Sequence, residues 1–177
     1  MRWLPFGILV VVVLALQVSV AAAVRIPVGR GGLALAVDLP AVLAVLVALR
    51  ARRATDAALA GWVLGLCIDL AVTGVPLGLH AVTFAMAAGL ICQIRPAVFP
   101  DSVLTQALLV GGFCLIAHGP ARLFVNLYVR PDAAHLGRDL LQVLLVALGS
   151  GVAGPVVLAV GKRADWLIMD QPSWRRR

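Results

Sequence analysis

Long apolar runs, broken by short stretches rich in arginine, glycine or proline, organise this chain from one end to the other. A helix rising 1.5 Å per residue needs about 20 apolar residues to cross a hydrocarbon core of about 30 Å. Six runs approach that length: Trp3 to Val24, Leu33 to Leu49, Ala57 to Val72, Pro76 to Ile94, Val103 to about Val125, and Leu140 to Gly161. The pattern predicts an all-α polytopic membrane protein of about six transmembrane helices. No polar stretch is long enough for a second domain, so residues 1–177 are expected to form a single transmembrane domain. Two runs carry internal punctuation. In the second, Asp38-Leu-Pro40 has the order of a helix cap followed by a first-turn proline, which predicts a late start for that helix. In the fifth, Gly119-Pro120 either kinks the helix or ends it. A kink is preferred, because Val103 to Ala117 alone is short for a span.

Composition supports the membrane reading. Hydrophobic residues make up 62% of the chain and charged ones 13%, against about 25% charge in soluble domains, and the mean hydropathy is +1.03. The first run imitates a secretory leader, with Arg2 before it and small residues from Ser19 to Ala23 at its end. It exceeds the usual leader core of about 7 to 15 apolar residues and further spans follow, so an uncleaved first helix is expected. Threading six spans from an inside N-terminus places Arg2, Arg50, Arg52, Arg53, Arg95, Lys162, Arg163, Arg175, Arg176 and Arg177 inside. Arg25, Arg30, Arg122, Arg130 and Arg138 then fall outside. This asymmetry favours both termini in the cytoplasm. The net charge of +7 therefore reports topology and contact with anionic membrane lipid. Nucleic acid is not an expected partner, because the arginines are scattered between apolar spans. The tail, with Trp166, Trp174 and the terminal arginines, is read as an interfacial anchor rather than a docking peptide.

Little in the chain suggests catalysis. It has no Glu, no Gly-x-Ser-x-Gly, no HExxH and no phosphate-cradling glycine loop. Cys67, Cys92 and Cys114 all fall inside apolar runs without metal-ligand spacing, so neither metal nor cofactor is expected. The informative residues are polar ones within the spans. Gly61, Gly65 and Asp69 recur at i, i+4 and i+8, which places them on one helix face. Small residues at that spacing let a second helix or a partner approach, and the seam ends in a carboxylate able to hydrogen-bond across it. Equally, Asp69 lies one turn from Thr73-Gly74 and can simply reach the outer interface. His80 opens the next run beyond Pro76 and Gly78, within reach of an Asp69 hydrogen bond of structural rather than proton-transferring character. On this reading Asp69→Asn is expected to be mild. His118, Pro120 and Arg122 form a second polar cluster. It is read as an arginine snorkelling to the surface, with a broken-helix binding site as the alternative.

The block Gly65-Leu-Cys-Ile-Asp69-Leu, followed by Thr73-Gly74-Val-Pro76-Leu-Gly78-Leu-His80, resembles the rod shape-determining protein MreD family. So do Asp38-Leu-Pro40 opening a hydrophobic helix and the short arginine-rich loop after it. The resemblance implies a non-enzymatic component of the cell-elongation machinery in the bacterial inner membrane. The implied direct partner is a single-span protein of the MreC type. MreB filaments, RodA and a class B penicillin-binding protein would be engaged through it. It also implies a fold like the six-helix substrate-binding subunits of energy-coupling-factor transporters, which supplies the alternative function: a small-molecule-binding transporter subunit. That alternative asks for polar residues converging on a cavity, and His118, Asn126, Tyr128 and Arg130 are the candidates.

Overall fold

A computed structural model describes the backbone of residues 3–21, 26–28, 32–71, 75–98, 102–129 and 133–163. The described chain is mostly helical. It contains six α-helices: α1 (Trp3–Leu16), α2 (Leu39–Arg50), α3 (Ala54–Ala71), α4 (Leu79–Ile94), α5 (Val103–Phe124) and α6 (Ala133–Arg163). Single π-helical turns, Gln17–Ala21 and Val125–Val129, extend α1 and α5. By length and composition, three helical stretches are long and apolar enough to cross a membrane: Ala54–Ala71, Val103–Val129 and Leu136–Val160.

The helical class expected from the sequence holds, with one short addition. Between α1 and α2 lies an antiparallel ribbon of β1 (Ile26–Val28) and β2 (Leu33–Leu35), with Ile26 opposite Leu35 and Val28 opposite Leu33. The run from Leu33 to Leu49 is therefore not one helix. Its first residues are strand, and the helix begins only at Leu39, as the cap and first-turn proline foretold. The Asp38 carboxylate accepts from the Ala41 amide at 3.2 Å, which satisfies one of the orphan donors at the helix start. Pro120 lies inside α5, and the helix runs on through it to Phe124. It does not end there.

The short helix is the centre of the molecule. Every residue of α2 from Pro40 to Ala48 is buried, and α1, α3, α4, α5 and α6 all pack against it. With no polar face it has no surface to show to solvent. Around it, α3 and α4 form one antiparallel pair and α5 and α6 another. In the first pair Gly61 lies against the Phe84 carbonyl and the Ala88 methyl, and Gly65 against the backbone of His80 and Ala81. At the outer surface of the bundle the helices expose large apolar side chains, among them Leu4, Leu70, Met86, Leu104, Val152 and Val156.

A buried histidine and aspartate cluster at the ribbon end

The start of α4 lacks a side-chain cap of its own. Its N-cap is Gly78, held at φ +95°, in the left-handed region that glycine enters without a Cβ penalty. The orphan amides of this helix are served instead by Asp69, from the last turn of the preceding helix. Asp69 Oδ2 accepts from the amides of Gly78 at 2.9 Å and Ala81 at 3.2 Å. Asp69 Oδ1 accepts from the His80 amide at 3.2 Å and lies 2.7 Å from His80 Nδ1. Four hydrogen bonds converge on a carboxylate whose side chain has no exposed surface. The positive end of the helix dipole adds to their effect.

A second carboxylate and imidazole pair stands beside the first. Asp38, besides capping α2, places Oδ2 2.5 Å from Nε2 of His118 on α5. Its own amide donates to Ser150 Oγ on α6 at 2.9 Å. The two imidazoles meet edge to face, with ring centroids 5.6 Å apart. Phe84 closes the other side of His118 at 5.5 Å and stacks edge-on against Phe113 at 5.1 Å. Asp38, Asp69, His80, His118 and Ser150 thus join the ends or middles of five helices, α2 to α6, through one polar cluster set in an apolar surround.

The structure divides the residues singled out from the sequence. Gly61, Gly65, Asp69 and His80 share the seam between α3 and α4, so Gly61 and Gly65 meet a neighbouring helix of the same chain, while Gly78 caps α4 and donates its amide to Asp69. Pro76 is exposed in the connecting turn, where its carbonyl accepts from the Leu79 amide at 3.3 Å. Of the second cluster only His118 turns inward. Pro120 and Arg122 are exposed. The transporter-type candidates separate: His118 is engaged by Asp38, Asn126 donates to the Arg122 carbonyl and to Asp139 Oδ2, and exposed Tyr128 packs on Phe124. Arg130, Thr73, Gly74, Trp166 and Trp174 lie outside the described residues, as do Arg2, Arg25, Arg30 and the terminal arginines.

Sequence reasoning took Asp38 for a cap and missed its partnership with His118, 80 residues away. A signal was present. Two carboxylates and two imidazoles inside apolar runs each need a polar partner, and pairing them with one another is the simplest solution. Ser150 carried no such signal. Chemically the cluster ties helices together through hydrogen bonds. Among the described residues no three of the side chains His, Cys, Asp and Glu gather around a point where a metal ion would sit. No family model, curated protein or solved structure matches the chain.

Proposed function

We propose that this protein is a non-enzymatic integral membrane scaffold of the bacterial cell-elongation machinery, of the MreD kind. In this reading all six helices lie in the membrane and both termini are cytoplasmic. The direct partner is a single-span protein of the MreC type, which links MreB filaments to RodA and a class B penicillin-binding protein. One observation supports the reading above others. The block from Gly65 to His80 that resembles MreD is the most interlocked part of the fold, with a glycine seam, a left-handed Gly78 and a carboxylate saturated by the next helix. Its polar groups are consumed in holding the hairpin, while large apolar side chains cover the outside of the bundle. Such a distribution suits a rigid body that binds lipid and other helices.

Co-purification from crosslinked bacterial membranes tests the proposal. A single-span partner of the MreC type should be captured with the protein, and the gene should restore rod shape to cells lacking their own copy. Saturable binding of a vitamin-sized ligand by the purified protein, without capture of such a partner, would reject the scaffold and favour the transporter subunit.

A further inference from the structure

Arg122 has no place in the cluster that its neighbour His118 joins. It is exposed, and among the described residues its guanidinium makes no hydrogen bond or ion pair. The carboxylates that reach this part of α5, Asp38 and Asp139, are engaged by His118 and Asn126. Its company is apolar. Leu104, Leu108, Gly112, Leu115, Gly119 and Arg122 follow one another at steps of three or four residues, which puts them on one helix face, opposite the buried Phe113, Ala117 and Ala121. The three leucines are exposed, and nothing lies within 4 Å of a Cβ built on either glycine.

Depth decides what such an arginine needs. Beyond it the helical backbone continues from Leu123 to Val129, a further rise of about 10 Å, past the exposed Phe124 and Tyr128, whose ring centroids lie 4.9 Å apart. Aromatic residues of this kind mark the level of a membrane surface. Side chains on a helix lean toward its N-terminus, so that of Arg122 sets off away from this nearer end, and reaching headgroups there runs against the lean. An arginine so placed in a spanning helix calls for a partner of its own. The open glycines admit lipid and helix alike; the guanidinium, a planar fork of N–H donors, asks for a carboxylate.

Resting on the scaffold reading above, we infer that this outward face of α5 is the docking surface for the partner's single transmembrane helix. That helix seats against Gly112 and Gly119 and presents an Asp or Glu carboxylate to Arg122. Close approach at the glycines keeps lipid out of the pair, and the two-pronged contact sets the depth and rotation of the incoming helix.

The test uses the full-length protein in bacterial membranes with a tagged MreC-type protein of the same bacterium. The photo-crosslinker benzoylphenylalanine replaces Leu108 or Leu115 on the α5 face, Met86 on α4 or Val156 on α6, all exposed apolar positions. Crosslinks to the tagged partner should form from the Leu108 and Leu115 positions and not from the other two. Arg122→Gln should lower capture about tenfold or more. Arg122→Glu should abolish it, and exchange of a carboxylate in the partner's span for Lys should restore it. Gly112→Leu should reduce capture while leaving the melting temperature unchanged, because open space receives the new side chain. Crosslinking from Met86 or Val156 but not from α5 would overturn the inference and leave the scaffold standing. So would capture undiminished by Arg122→Gln, the result expected if Arg122 meets only lipid headgroups. Failure of the tagged protein to co-purify at all would remove the scaffold reading and this surface together. The crosslinking pattern is read with Arg122 in place, so it decides the matter even if a charge variant fails to fold.

Discussion

Asp69 and Asp38 are both buried carboxylates at helix ends, yet their surroundings ask for different chemistry. Each oxygen of Asp69 accepts two hydrogen bonds, all from N–H groups or the His80 ring. An asparagine there must turn an NH2 group toward donors, leaving one pair facing another donor. The expectation from sequence that Asp69→Asn is mild is therefore reversed. It should cost about 1–3 kcal/mol, read as a loss of stability in detergent unfolding. Asp38→Asn should cost less in the same assay. Its oxygen can serve the Ala41 amide while its NH2 donates to unprotonated His118 Nε2, since the imidazole can change tautomer. Equal losses at both positions would contradict this account.

At the scale of elements, glycines that look alike in sequence have unlike roles. A Cβ on Gly65 would stand 2.6 Å from Ala81 Cα, and one on Gly61 2.6 Å from the Phe84 carbonyl oxygen, both immovable backbone atoms. Nothing lies within 4 Å of the corresponding point at Gly112. Gly65→Ala should thus force α3 away from α4 and lower the melting temperature strongly, with Gly65→Leu worse. Gly112→Ala should leave the melting temperature unchanged or raise it, adding up to about 1 kcal/mol of stability, because alanine is the better helix former. The seam was legible because the i, i+4, i+8 spacing of Gly61, Gly65 and Asp69 is local to one helix. Its occupant was only half legible. Sequence left open a neighbouring helix or a separate partner, and the short turn through Gly78 brings α4 back onto the seam. The ribbon was not legible. Strands of three residues are too short to alternate visibly, and the apolar run from Leu33 to Leu49 hides the change from strand to helix. Likewise the pairing of Asp38 with His118 depends on how α2 and α5 pack, which no local spacing records.

The whole molecule is built around a helix too short to cross a hydrocarbon core by itself. Twelve residues of α2 rise about 18 Å, against the roughly 30 Å of a hydrocarbon core, so both ends of this buried post finish inside the protein. Its terminal amides and carbonyls must then be satisfied by other elements. At the start, Asp38 caps, Gln17 Oε1 accepts from the Leu39 amide at 2.9 Å, and Ser150 holds the Asp38 amide. Beyond it, Gln142 of α6 pairs with both the amide and the carbonyl of Ala34 and so docks the ribbon as a third strand would. At the far end Arg95, just past α4, donates from Nη1 to the carbonyls of Leu49 and Ala51, each at 2.9 Å. Charge at that end therefore has two uses that the positive-inside count alone treats as one. Arg52 and Arg53 are exposed in the connecting turn and available to anionic headgroups, whereas Arg95 is spent on the post. Arg95→Met, which keeps an apolar stem but no donor, should destabilise the protein by about 1–3 kcal/mol, since two inward carbonyls lose a charged partner. Arg52→Met should leave stability within about 0.5 kcal/mol and instead, in the proposed topology, weaken the bias toward a cytoplasmic loop. Unfolding in detergent reads the first effect. Accessibility of a cysteine placed beside residue 52, labelled from each side of the membrane, reads the second. If Arg95→Met unfolds no more easily than Arg52→Met, α2 is not held from its C-terminal end, and the post stands on its N-terminal cap and its apolar packing alone.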